Sequence, residues 1–160
     1  MGAVMIRILM VTAAAALAMA GSWHYEATHD ALGQTVHVAE IVPDAARPYV
    51  AMRVMCGGLA GISLQVNLGE MQSASMTAPA GGLTFEIAKS PAYSAAAAMA
   101  PLTDGVGTYE IKGSEAGDVA HLLMRGDEVT VRQGAVSATF PLAGAAGAIG
   151  ELIANCPLKL

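Results

Sequence analysis

The chain has 160 residues, 54% of them hydrophobic and 13% charged, enough apolar material for one packed domain and too little charge for a disordered one. Lys and Arg number 8 against 13 Asp and Glu, a formal charge of -5, which argues against an electrostatic grip on nucleic acid or anionic lipid. Aromatics are only 4%, so stacking platforms for sugars or single strands are hard to assemble.

Arg7 is the only charge before an apolar run from Ile8 to Ala20 that ends in Ala18-Met19-Ala20. A positive start, a short apolar stretch and small residues at -3 and -1 form a secretory signal, and cleavage after Ala20 is expected. Translation can begin at Met1 or Met5. The run is short of the about 20 residues that span a bilayer, and polar His24, Glu26 and His29 follow soon after. No Cys stands near the cleavage site to carry a lipid. Residues 1–20 are therefore read as a removed leader and 21–160 as a single β-rich domain, soluble in the periplasm or secreted, without stable membrane insertion. Such a domain of about 140 residues buries roughly 68% of its unfolded surface.

From Trp23 to about residue 90 the pattern alternates with a period of two, the signature of half-buried strands. Trp23, Tyr25 and Ala27 alternate with His24, Glu26 and Thr28; Asp30–Gly33 is a turn; residues 34–42 are extended. After a loop at 43–48, Val50, Met52, Val54 and Cys56 share one face, a Gly57-Gly58 and Gly61 turn follows, and Ile62, Leu64, Val66 and Leu68 alternate on the next strand. Residues 69–81 are expected to be a long loop, and Leu83, Phe85 and Ile87 a strand. The segment 90–104 fits either a helical turn or an extended edge. Tyr109 and Ile111 face inward on a strand bounded by Gly107 and Gly113.

Ser114 is the expected N-cap and Gly126 the C-cap of a short helix over about 115–125, with Val119, Leu122 and Leu123 at helical spacing. Val129 and Val131, then Val136, Ala138, Phe140 and Leu142, make two more strands around Gly134. Ala145, Ile149, Leu152, Ile153 and Cys156 form one stripe of a C-terminal helix. The expected fold is mainly β with α elements (α+β), an antiparallel sandwich or half-barrel of about eight strands with the C-terminal helix packed on the sheet.

Cys56 and Cys156 both point toward the apolar interior, and in an exported protein such a pair reads as a structural disulfide. A redox-active pair would instead want C-x-x-C spacing and a thiolate at a helix N-terminus. No G-x-S-x-G elbow marks a hydrolase, though hydrolysis without a recognisable motif remains a rival reading. Asp104 reads as a turn residue. His24, His29 and His37, with Glu26, are the candidates for a metal site, and a periplasmic metal-binding protein is the other rival. Cleavage after Gly21 would expose Ser22-Trp23-His24, a square-planar copper or nickel motif. His121 reads as a helix-surface residue and Met52 as core filling. Arg53 and Arg132 lie opposite the apolar faces of their strands and read as solvated charges or edge protection. No cofactor is expected.

Several short elements together carry a resemblance: the Trp23 strand, Arg53-Val54-Met55-Cys56, Phe140-Pro141-Leu142-Ala143-Gly144, and Ala148 to Cys156. They resemble periplasmic accessory proteins associated with type VI secretion, and more loosely the invasion-associated locus B family. The secretion-associated members usually carry a central tryptophan-serine segment, where this chain has Ser90-Pro91-Ala92-Tyr93-Ser94. The resemblance implies a non-catalytic binding or accessory role with a partner from the envelope or a secretion system.

Overall fold

The computed structural model describes residues 21–44, 50–58, 61–71, 82–99 and 106–156. The expected leader at 1–20, the loop residues 72–81 and Asp104 lie outside the described residues. In chain order the elements are β1 (His24–His29), β2 (Thr35–Ile41), β3 (Val50–Gly57), β4 (Gly61–Met71), β5 (Leu83–Ile87), β6 (Tyr93–Ala95), β7 (Ala98–Met99), β8 (Val106–Lys112), α1 (Ser114–Leu123), β9 (Glu128–Gln133), β10 (Val136–Pro141) and α2 (Ala145–Asn155).

The strands form two sheets, one of six in the order β1-β2-β3-β4-β8-β7 and one of four in the order β10-β9-β5-β6. Every pairing is antiparallel. The fold is thus mainly β and sandwich-like, as the period-two pattern implies, with more strands than the about eight expected. The surplus is β6 and β7, short extended pieces within the segment that fitted either a turn of helix or an edge. They are extended because each has a strand to pair with, β5 and β8 respectively.

The β3–β4 hairpin holds the register that its alternation demands, from Val50↔Leu68 to Gly57↔Gly61. Gly57 sits at φ +117°, where a Cβ would come within 2.5 Å of the Thr35 carbonyl oxygen on β2, so only glycine lets the strands meet there. β4 runs on to Met71, into the stretch whose composition predicts a loop. Its pairing with β8 shifts between Asn67 and Met71, an irregularity at Gly69 that lets glycine and polar residues continue a strand.

Two helix boundaries differ from the sequence expectation. α1 begins at Ser114 itself, with Gly113 as N-cap and no side-chain cap, and it ends at Leu123 with Met124 rather than Gly126 as C-cap. Glycine reaches the φ of +70° found at position 113, which a serine cap does not need, so the turn out of β8 decided the start. α1 buries Ala116, Gly117, Val119, Ala120 and Leu123 and packs on β4 and β8; α2 buries Ala145, Ala148, Ile149 and Leu152 and packs on β1, β2 and β3.

One hydrophobic core joins both helices, the inner face of the six-stranded sheet and the inner face of the four-stranded sheet. Met52, Val54, Cys56, Leu64, Phe85, Val131, Phe140 and Leu152 are fully buried within it. Trp23 closes one end. Its backbone N–H donates to Ala143 O at 3.1 Å and its indole N–H donates to Pro141 O at 3.0 Å, tying the start of β1 to the junction between β10 and α2.

Cys56 and Cys156 are joined as a disulfide, with a Cα–Cα distance of 5.8 Å. That distance lies in the ordinary range for such bridges. Cys56 lies near the end of β3, an inner strand of the six-stranded sheet, and Cys156 caps the C-terminal end of α2, so the bridge pins the last helix to the framework.

Candidate binding surface

Directly opposed residues of antiparallel strands share a face, so the registers give the outer surface of the six-stranded sheet row by row. One row crosses all six strands: His24, Glu40, Arg53, Gln65, Glu110 and Ala98. A second runs Glu26, Val38, Met55, Ser63 and Lys112, and a third Ala51, Asn67 and Thr108.

Polar groups in the first row pair with one another across strands and with a neighbour along β8. Arg53 donates to Glu40 Oε1 at 2.7 Å, and Lys112 lies 3.1 Å from Glu110 Oε2, with the Gln65 amide 3.5 Å from the other oxygen of that carboxylate. The side chain of Arg53 is 43% exposed against 15% for Glu40. Such a half-wet pair contributes only about 0.2–1 kcal/mol to stability, so its value lies in orienting the guanidinium.

Among these charges lie residues that are buried although they belong to the outer face: Ser63 at 2%, Val38 at 7% and Ala51 at 8% exposure. Val38 and Ala51 are not part of the hydrophobic core cluster. Small side chains at the centre and longer ones around them create two shallow depressions. The first, of about 90 Å³, is lined by Ala51, Arg53, Gln65, Asn67 and Thr108. The second, of about 290 Å³, lies between Glu26, Val36, Val38, Glu40, Arg53 and Met55 among others. Arg53 borders both. The surface therefore offers a guanidinium, two carboxamides and a hydroxyl beside a strip of Val36, Val38 and Met55, suited to a partner with both polar and apolar groups.

The outer face of the four-stranded sheet is different. Thr84 and Ser94 lie 3.3 Å apart, Thr130 and Thr139 3.0 Å apart, and Arg132 donates to Glu86 at 3.1 Å, all of them exposed. Among the described residues its polar groups pair with one another across the strands.

The histidine candidates are not brought together. His24 stands on the outer face opposite Glu40, whereas His37 lies on the inner face opposite Cys56. There the His37 ring stacks on Tyr25 with centroids 6.1 Å apart, and its Nδ1 is 2.8 Å from the Tyr25 hydroxyl. His29 sits at the far end of β1 from His24. Among the described residues no group of three His, Cys, Asp or Glu side chains is placed to hold a metal ion. The pairing of Ala27 with His37 puts His37 on the face opposite to that of His24, and on the same face as His29, whose own partner across the hairpin is Thr35.

A further cluster joins α1 to β6. The Tyr93 hydroxyl donates to Asp118 at 3.4 Å, and Glu115 accepts from the Ala96 N–H at 3.2 Å. Burial and the negative charges of Asp118 and Glu115 raise the Tyr93 phenol above its usual value. His121 is exposed on the same helix, as its spacing implies.

Sequence reasoning passed over Glu40, Gln65 and Glu110, and read Arg53 as a solvated charge or as edge protection. Edge protection does not apply, because β3 is an inner strand of its sheet. Alternation places Arg53 on the polar face, but only the cross-strand register shows that Glu40 and Gln65 flank it. No protein-family model, curated protein or solved structure matches the chain.

Proposed function

We propose that this chain is an exported, non-catalytic envelope protein, a binding or accessory module of a secretion or cell-envelope system that engages a protein partner through the outer face of its six-stranded sheet. The observation that carries this reading is the placement of Arg53 between two depressions, beside the buried but off-core Val38 and Ala51. Half-buried Val36 and Met55 set among oriented charges give this face the mixed character of a protein interface. The Cys56–Cys156 bridge supports a non-cytoplasmic location, since disulfides persist in oxidising compartments. Among the described residues no helix is long and apolar enough to cross a membrane, which is compatible with a protein released after export. The resemblance to secretion-associated accessory proteins supports the choice of system.

The test is expression of the full chain in a double-membraned bacterium, with a photo-cross-linking amino acid in place of Met55 or of Thr130. The expected result is periplasmic protein with blocked thiols and one defined adduct from position 55. That adduct is lost in Arg53→Glu, and position 130 gives none. Retention in the cytoplasm, or the same adducts from both sheets, overturns the proposal.

A further inference from the structure

We propose that the chain pairs with a second copy of itself along β1, in antiparallel register about a twofold axis at Ala27, so that the two six-stranded sheets become one. This goes beyond the reading above and does not depend on it.

The first argument is the state of the sheet edges. Proteins blunt exposed edges by shortening them, by proline or lysine, or by a bulge. Among the described residues β7 has two residues and β6 three. β10 ends in Pro141, which has no N–H to offer and whose carbonyl already accepts the Trp23 indole. β1 is a full six residues, each paired in unbroken register with β2, with no Pro, no Lys and no positive φ. Glu26, Ala27, Thr28 and His29 are all exposed along it.

The second is Leu32, at the tip of the β1–β2 turn. It is 70% exposed, an exposed large hydrophobic residue at the end of the open edge. The turn is not loose: Asp30 Oδ1 accepts from both Leu32 N–H and Gln34 N–H at 2.9 Å, so Leu32 is held outward.

The third is that the strand is complementary to itself in the register centred on Ala27. A continuous sheet must set outer face against outer face, so the twofold axis passes through a residue. At Glu26 it would oppose two carboxylates, which destabilises a strand pair. At Ala27 it sets Ala27 against Ala27, Glu26 against Thr28, Tyr25 against His29 and His24 against Asp30, with no like charges opposed. Tyr25 already stacks on a histidine within the fold.

A six-residue edge is a small interface, so the dimer is weak and concentration-dependent. Sedimentation equilibrium of the oxidised chain, from low micromolar to submillimolar, should show a monomer–dimer equilibrium. Ala27→Lys and Ala27→Glu should each weaken it about fivefold, the size of one like-charge cross-strand pair. A mixture of the two should form a heterodimer by native mass spectrometry. Because Ala27 is exposed, circular dichroism should be unchanged in both. As a check that needs no charge, Ala27→Cys should cross-link to itself under mild oxidation and His29→Cys should not. A chain that is monomeric throughout, a dimer indifferent to Ala27→Lys, a mixture that does not associate, or equal cross-linking at 27 and 29 overturns the proposal.

Discussion

Removing the Cys56–Cys156 bridge tests the framework most directly. The two residues are 100 apart in sequence, and closing a loop of that size lowers the entropy of the unfolded chain by an amount worth about 4.7 kcal/mol at 25 °C. Typical stabilities are about 5–15 kcal/mol, so the bridge accounts for a large share of the total. Cys156→Ala isolates the cross-link, because that side chain is only partly buried. Cys56→Ala removes in addition a sulfur that is fully buried in the core and should cost about 1 kcal/mol more. Urea titration of the oxidised chain beside Cys156→Ala should show a loss of about 3–4.7 kcal/mol, and a melting temperature lower by roughly 10–20 °C. A loss below about 1 kcal/mol would show that α2 is held by packing alone and would refute the reasoning.

Gly57→Ala should be destabilising by about 2–4 kcal/mol in the same titration, since the positive φ and the Thr35 carbonyl 2.5 Å from the added Cβ both oppose it; a neutral result contradicts the close approach of β2 and β3. Trp23→Phe keeps a buried ring but leaves Pro141 O without the indole donor, and a cost of about 1–2 kcal/mol in thermal melts is expected. The Tyr93 phenol should titrate above the usual tyrosine range by NMR of labelled tyrosine carbons, and Asp118→Asn should bring it down only in part because burial remains. A raised folded-state value means that the fold prefers the neutral phenol, so this contribution is intact below the ordinary tyrosine value and is lost as pH rises through the raised one.

Much of the fold was legible from residue spacing. The alternation of Val50, Met52, Val54 and Cys56 with Ile62, Leu64, Val66 and Leu68 determines a hairpin with one buried face, because a one-residue slip would turn every one of these side chains to water. The stripe of Ala145, Ile149 and Leu152 determines α2 in the same way. Both cysteines lie on these stripes, and together with the expected export leader that made their pairing the expected reading.

The candidate surface was not legible, and the reason is physical. Periodicity is local: it says that Arg53 faces away from the core, but not which strand lies beside β3 or in what register. Glu40 comes 13 residues before Arg53 and Gln65 12 after it, while Glu110 is 45 beyond Gln65, and only the order β1-β2-β3-β4-β8-β7 lines them up. The same holds at the boundaries. β6 and β7 are strands because partners exist for them, and α1 starts at Ser114 because the turn at Gly113 directs it. What one residue does to its near neighbours was written in the chain alone; what the sheet presents to a partner was decided when distant strands came into register.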